Sequence, residues 1–181
     1  MNIYTKLARE TLEKYLAKKE LPEIKNLPAE LQKPSACFVT LHNKKDNAGG
    51  KSLAGRHVLR GCIGTILPVY KNLGSEIIAN SISAAENDPR FSPIKFNDLE
   101  NLKISVDILE KPEPIKSKKE LDPKKYGVIV KSADGRSGLL LPNLDGIDTI
   151  DNQIDIACQK AGIDPSMEIF LYRFKSTRYA E

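Results

Sequence analysis

Apolar residues recur at helical spacing in three stretches of the chain and alternate with polar ones in others. From Met1 to Glu20, Ile3, Leu7, Ala8, Leu12, Tyr15 and Leu16 fall on one stripe, with Lys6, Arg9, Glu10, Glu13 and Lys14 between them. That spacing predicts an amphipathic helix docked on a core. From Asn72 to Asn87, Leu73, Ile77, Ile78, Ile82, Ala84 and Ala85 form a second apolar face. It stops where Pro89 disfavours helical geometry at Asp88. A third helix is predicted to open at Asp148 and run through Ala161, with Ile150, Ile154, Ala157, Cys158 and Ala161 inward and Gly162 as its stop.

The extended runs are less evenly spaced. Ala36 to His42 and His57 to Ile66 are rich in β-branched and aromatic residues, and a polar, Gly-rich stretch from Asn43 to Gly55 would let them pair antiparallel. Folding about that loop sets His42 opposite His57 and Cys62 near Cys37 or Phe38. Leu102 to Leu109 alternates as a half-buried strand with a polar outer face. Lys111 to Lys125, with Pro112, Pro114 and Pro123 among Lys and Glu, is expected to be a solvated connector with a short helical turn at most, and a boundary between subdomains. Asp134-Gly135 between Tyr126–Lys131 and Ser137–Leu141 predicts a tight hairpin, and Met167 to Phe174 a final strand. The irregular order favours α+β over a doubly wound sheet.

Composition narrows the function classes. With 181 residues and 40% hydrophobic content, the chain is expected to be a single domain, residues 1–181, of two intimate subdomains and not a disordered segment. A net charge of +4 and 6% aromatic residues fall short of a nucleic-acid surface, which leaves RNA binding the weakest option. Cys37, Cys62 and Cys158 are odd in number with no CxxC pair, so neither a disulfide framework nor a zinc site is suggested, no cofactor is implied, and a reducing compartment fits. No stretch carries the roughly 18 apolar residues of a membrane span, and the N-terminus lacks a signal-peptide core, so the chain reads as cytoplasmic.

The run Leu59-Arg60-Gly61-Cys62-Ile63-Gly64, following Phe38-Val39-Thr40-Leu41, resembles the signature of the AMMECR family, also called AmmeMemoRadiSam system protein A. The likeness continues through Ser83-Ala84-Ala85, Asp88-Pro89-Arg90-Phe91, Tyr126-Gly127-Val128, Gly138-Leu139-Leu140-Leu141-Pro142, Ala161-Gly162 and Leu171-Tyr172-Arg173-Phe174. Members often carry Trp before the last helix, where this chain reads Ile147-Asp148-Thr149-Ile150. The resemblance implies an α+β fold of two subdomains around an antiparallel sheet with flanking helices, and a cleft at the signature. It also implies partnership with a Memo-like protein and a radical S-adenosylmethionine protein. The chain has no cysteine cluster for an iron–sulfur centre, so radical chemistry would belong to the partner.

The signature holds the candidate chemistry. Alternation along a strand projects Arg60 and Cys62 to one face, with Gly61 and Gly64 allowing a backbone or ligand close approach. A guanidinium beside a thiol lowers its pKa from about 8.5 and makes a nucleophile. The alternative is a structural Cys62 and an ion-pairing Arg60. Asp88 and Arg90 could be aimed back at the sheet or form a local ion pair at a helix end, and Arg136 could grip an anion or lie solvated at its hairpin. The expectation is an enzyme, or enzyme component, binding a small polar or anionic molecule at Arg60, Gly61, Cys62, Gly64, Asp88, Arg90 and Arg136. The alternative is a non-catalytic adaptor for a partner protein. Gly50-Lys51-Ser52 misses the P-loop pattern, and Asp145, Asp148, Asp151 and Asp155 miss calcium-loop spacing and read as turn and helix-start residues.

Overall fold

A computed structural model of the chain describes residues 2–44 and 58–181, so His57 and Gly50-Lys51-Ser52 lie outside the described residues. Helix α1 (Ile3–Lys18) starts at Asn2, whose side-chain oxygen accepts the Tyr4 and Thr5 N–H groups, and ends at Lys19 in the left-handed region with φ 57°. A single turn, α2 (Ala29–Gln32), buries Leu31 inside the Pro-marked segment that follows. Strands β1 (Cys37–Asn43) and β2 (Leu59–Gly64) come next. Asn72 caps α3 (Leu73–Glu86) by accepting the Ser75 N–H, and a 3-10 turn at Phe96–Asn101 leads into β3 (Leu102–Leu109).

The chain divides into two compact units, residues 1–108 with 178–181, and residues 109–177. In the first, the sheet order is β2-β1-β3-β8, where β8 is Ser176–Ala180 at the end of the chain. Helix α3 packs on β1 and β2, and α1 packs on α3. Alternation sends Val39, Leu41, Ile104 and Val106 to the helices, where they meet Leu12 and Ile77 in a fully buried core. The other face of β3, expected to be exposed, is covered as well: Ser105 is 8% and Asp107 2% accessible.

The register of β1 on β2 also differs from the expectation. Cys62 lies opposite Thr40, three positions from Cys37, and His42 lies opposite Leu59. The register is already two positions off at His42, and an irregularity between Leu41 and His42 that leaves Arg60 without an opposing residue adds one more toward Cys62, a bulge that a count from the loop cannot anticipate.

In the second unit the sheet order is β4-β7-β5-β6. Residues 111–125 belong to this unit. Strand β4 (Glu113–Pro114) pairs with β7 (Ile169–Phe174), Pro114 being tolerated because the strand lies at an edge. A 3-10 turn follows at Lys118–Glu120. The hairpin of β5 (Gly127–Ser132) and β6 (Ser137–Leu140) turns at Gly135 with φ 89°, the geometry Asp-Gly predicts. Helix α4 (Ile150–Ala161) packs on β5 and β6 and opens later than the expected Asp148, because the Thr149 hydroxyl accepts the Asn152 N–H. Asp148 instead pairs with Lys124, and Asp151 with Lys118. Gly162, with φ 63°, ends the helix, and Cys158 is fully buried. No helix among the described residues is long and apolar enough to cross a membrane.

Candidate functional site

Strand β2 is the edge of its sheet, so alternate backbone groups point away from β1 and need partners elsewhere. Its distance from α3 is set at Gly61, where a Cβ would overlap the Ala84 carbonyl oxygen in the last turn of the helix. Only glycine lets that carbonyl approach. The chain then leaves α3 within reach of the next strand residue, Cys62, and Asp88-Pro89-Arg90 follows as a turn in which the Phe91 N–H reaches the Asp88 carbonyl at 3.1 Å.

That turn clamps Cys62 by its backbone. The Cys62 N–H donates to Asp88 Oδ2 at 2.9 Å, and Arg90 Nη2 donates to the Cys62 carbonyl at 3.3 Å. Arg90 also grips Asp88 through Nε at 2.9 Å and Nη2 at 2.7 Å. Asp88 is 4% accessible. The Arg90 hydrogen bonds hold its carboxyl down at about 2, helped by the Cys62 N–H and opposed by burial. Asp88 and Arg90 therefore do both things the sequence left open: they form a local ion pair, and the pair is aimed at the sheet.

With its polar backbone groups turned outward, Cys62 forms a close pair with Thr40, whose Oγ1 is 3.3 Å from Sγ. Cys62 is half-buried, whereas Cys37 and Cys158 are buried. Thr40, Ser105, Asp107 and Phe38 share the Cys62 face by register and alternation. Asp107 is held by Arg178 of β8, through Nε at 2.9 Å and Nη2 at 3.0 Å, with the Arg178 side chain 51% exposed. The Asp107 hydrogen bonds raise the Arg178 pKa, against burial, with a smaller electrostatic contribution from Cys62. Arg90 is raised in the same manner, first by Asp88 and to a small degree by Cys62.

The structure thus brings together Cys62, Asp88 and Arg90 of the sequence-predicted residues. Arg60 sits at the bulge, half-buried, its side chain making no hydrogen bond or ion pair to another described residue. The space beside Gly61 is filled by the Ala84 carbonyl, and a Cβ at Gly64 would overlap the Phe38 ring, so both glycines serve packing. Arg136 lies in the second unit, paired with Asp134 and donating to the Gly162 carbonyl that ends α4. Thr40, Asp107 and Arg178 escaped the sequence reading. The polar positions of β1 and β3 carried a signal for the first two; a five-residue strand rich in small and polar residues carried none for Arg178.

A family model described as AMMECR1 matches residues 5–179. A protein of Thermotoga maritima is 46% identical over 181 residues, which is 97% of this chain and 96% of its own. Protein CA_C1420 of Clostridium acetobutylicum is 42% identical across 98% of this chain, which spans only 36% of that longer protein. Among solved structures, the crystal structure of protein PH0010 from Pyrococcus horikoshii, 31% identical, superposes with a TM-score of 0.84 over 98% of this chain and 89% of its own.

Proposed function

Since the chain belongs to the AMMECR1 family, we propose that its signature strand is the working centre of a small-molecule-binding enzyme or enzyme component, with Cys62 as the reactive group and a small polar or anionic substrate. The observation that carries this reading is the backbone clamp. Any residue but proline at position 62 could offer its N–H and carbonyl to Asp88 and Arg90, so the clamp does not require cysteine. What the clamp does is fix a half-buried sulfur on a polar sheet face, with the Thr40 hydroxyl placed to donate to it when the thiol gives up its proton.

Three free cysteines support a reducing, cytoplasmic setting. The Clostridium acetobutylicum relative, which carries this module within a longer chain, supports work alongside other protein modules. A Memo-like protein and a radical S-adenosylmethionine protein remain the partners proposed. A second reading, an adaptor for a partner protein, is favoured by exposed Leu67, Val69 and Tyr70 just beyond β2.

Iodoacetamide labelling at neutral pH, followed by peptide mapping, separates the two. Burial pushes the Cys37 thiol up to about 12 and raises that of Cys158, so both serve as internal controls. Cys62 should react faster in the folded protein than in urea, while the controls react only in urea. A folded-state rate at or below the unfolded one removes the nucleophile and moves the search to partners.

A further inference from the structure

We infer that Arg178 is the oxyanion-binding residue of the Cys62 site, taking a carboxylate or phosphate of the ligand; this rests on the reading of Cys62 as the working centre.

The buried Asp107 carboxylate, 2% accessible, occupies Nε and Nη2 of Arg178. Such a bidentate grip fixes the plane of the guanidinium and leaves Nη1, with two N–H donors, unused among the described residues. A buried aspartate is an expensive way to hold a strand together, and Arg178 is half exposed, so the pair orients a donor fork toward solvent. Register places it. Asp107 pairs with Phe38, Phe38 lies two residues from Thr40 on the same face, and Thr40 pairs with Cys62. Cys62 and Asp107 are therefore two inter-strand steps apart across the sheet and two residues apart along it, about 12 Å between backbones, and Arg178 reaches Asp107 from β8 on the far side, a span that a small molecule covers. Arg90 also keeps Nη1, but both hydrogens of its Nη2 are spent on Asp88 and the Cys62 carbonyl, so only Arg178 still offers the paired Nη1/Nη2 edge that grips an oxyanion through two bonds. A ligand can therefore rest its anionic end on Arg178 and its reacting centre against Sγ.

The test uses two thiol reagents with the same reacting group and opposite charge, methanethiosulfonate ethylsulfonate and its ethyltrimethylammonium counterpart. With each, the Cys62 sulfur displaces methanesulfinate and forms a mixed disulfide, read by mass on the Cys62 peptide of the full chain. The anionic reagent should react faster on the native protein. Arg178→Gln should lower the anionic-to-cationic rate ratio about tenfold, and the double variant Asp107→Asn/Arg178→Gln, which leaves no unpaired buried carboxylate, should do the same. Lys14→Gln removes one positive charge from exposed α1 surface and should leave the ratio unchanged. An unchanged ratio in the Arg178 variants overturns the proposal while the Cys62 reading stands. If Cys62 reacts with neither reagent, the Cys62 reading fails, and the anion site is judged in Cys62→Ala by inorganic phosphate. A phosphate-induced rise in Tm that Arg178→Gln abolishes then supports the site, and no rise overturns it.

Discussion

Replacing Asp88 by Asn keeps the size of the side chain and removes its charge, and the consequence for stability depends on pH in a defined direction. The Asp88 carboxyl lies at about 2 in the folded chain against an ordinary 3.8. A carboxyl lowered on folding stabilises the protein above its unfolded value and loses that contribution as pH falls through the folded value. The separation corresponds to about 2 kcal/mol at pH 7, falling to about 1 kcal/mol at pH 3 and to nearly nothing below pH 2. The neutral amide of the variant resembles the protonated acid, so the gap between the two proteins should follow this curve. Urea titrations of native protein and Asp88→Asn, followed by far-ultraviolet circular dichroism between pH 7 and pH 3, measure it. A stability difference that stays constant across that range, or no difference at pH 7, would refute the account of the clamp as a charge-assisted bond.

Two further substitutions probe the supports of the site. Gly61→Ala drives a methyl group into the Ala84 carbonyl, and because backbone cannot move aside as a side chain can, it should cost about 3 kcal/mol or more, read as a fall in Tm. Glu76 is fully buried and accepts hydrogen bonds from Thr65 Oγ1 and from the Val69 and Tyr70 N–H groups, so Glu76→Gln should cost about 2 kcal/mol and make the 65–71 segment sensitive to limited proteolysis; unchanged cleavage would show that another contact holds it.

Much of this was legible in the residues. Helix α3 and strand β3 were foreseen nearly residue for residue, because each gathers its apolar residues on one face and the spacing records it, although the polar face of β3 is covered too. The signature strand and the Asp88-Pro89-Arg90 turn were foreseen as well, since a proline after a helix has a local cause. What was missed depends on distant partners. Strand β4 exists only because β7 lies beside it, and β8 only because β3 does. Asp107 looked like a surface residue until Arg178, seventy-one positions later, covered it. The Arg60 bulge breaks the alternation from which Arg60 and Cys62 were expected to work together, and the guanidinium groups that feel Cys62 come instead from Arg90 and Arg178.

The outward backbone groups of β2 have one more consequence. An outer strand with open N–H and C=O groups is a template on which a strand from another molecule can add, the first step toward runaway association. At Cys62 both groups are already occupied by Asp88 and Arg90, and neither can be released without exposing the other. The pair that holds Cys62 therefore also blocks strand addition at that position, so Asp88 and Arg90 protect the β2 edge as well as fixing the signature residue.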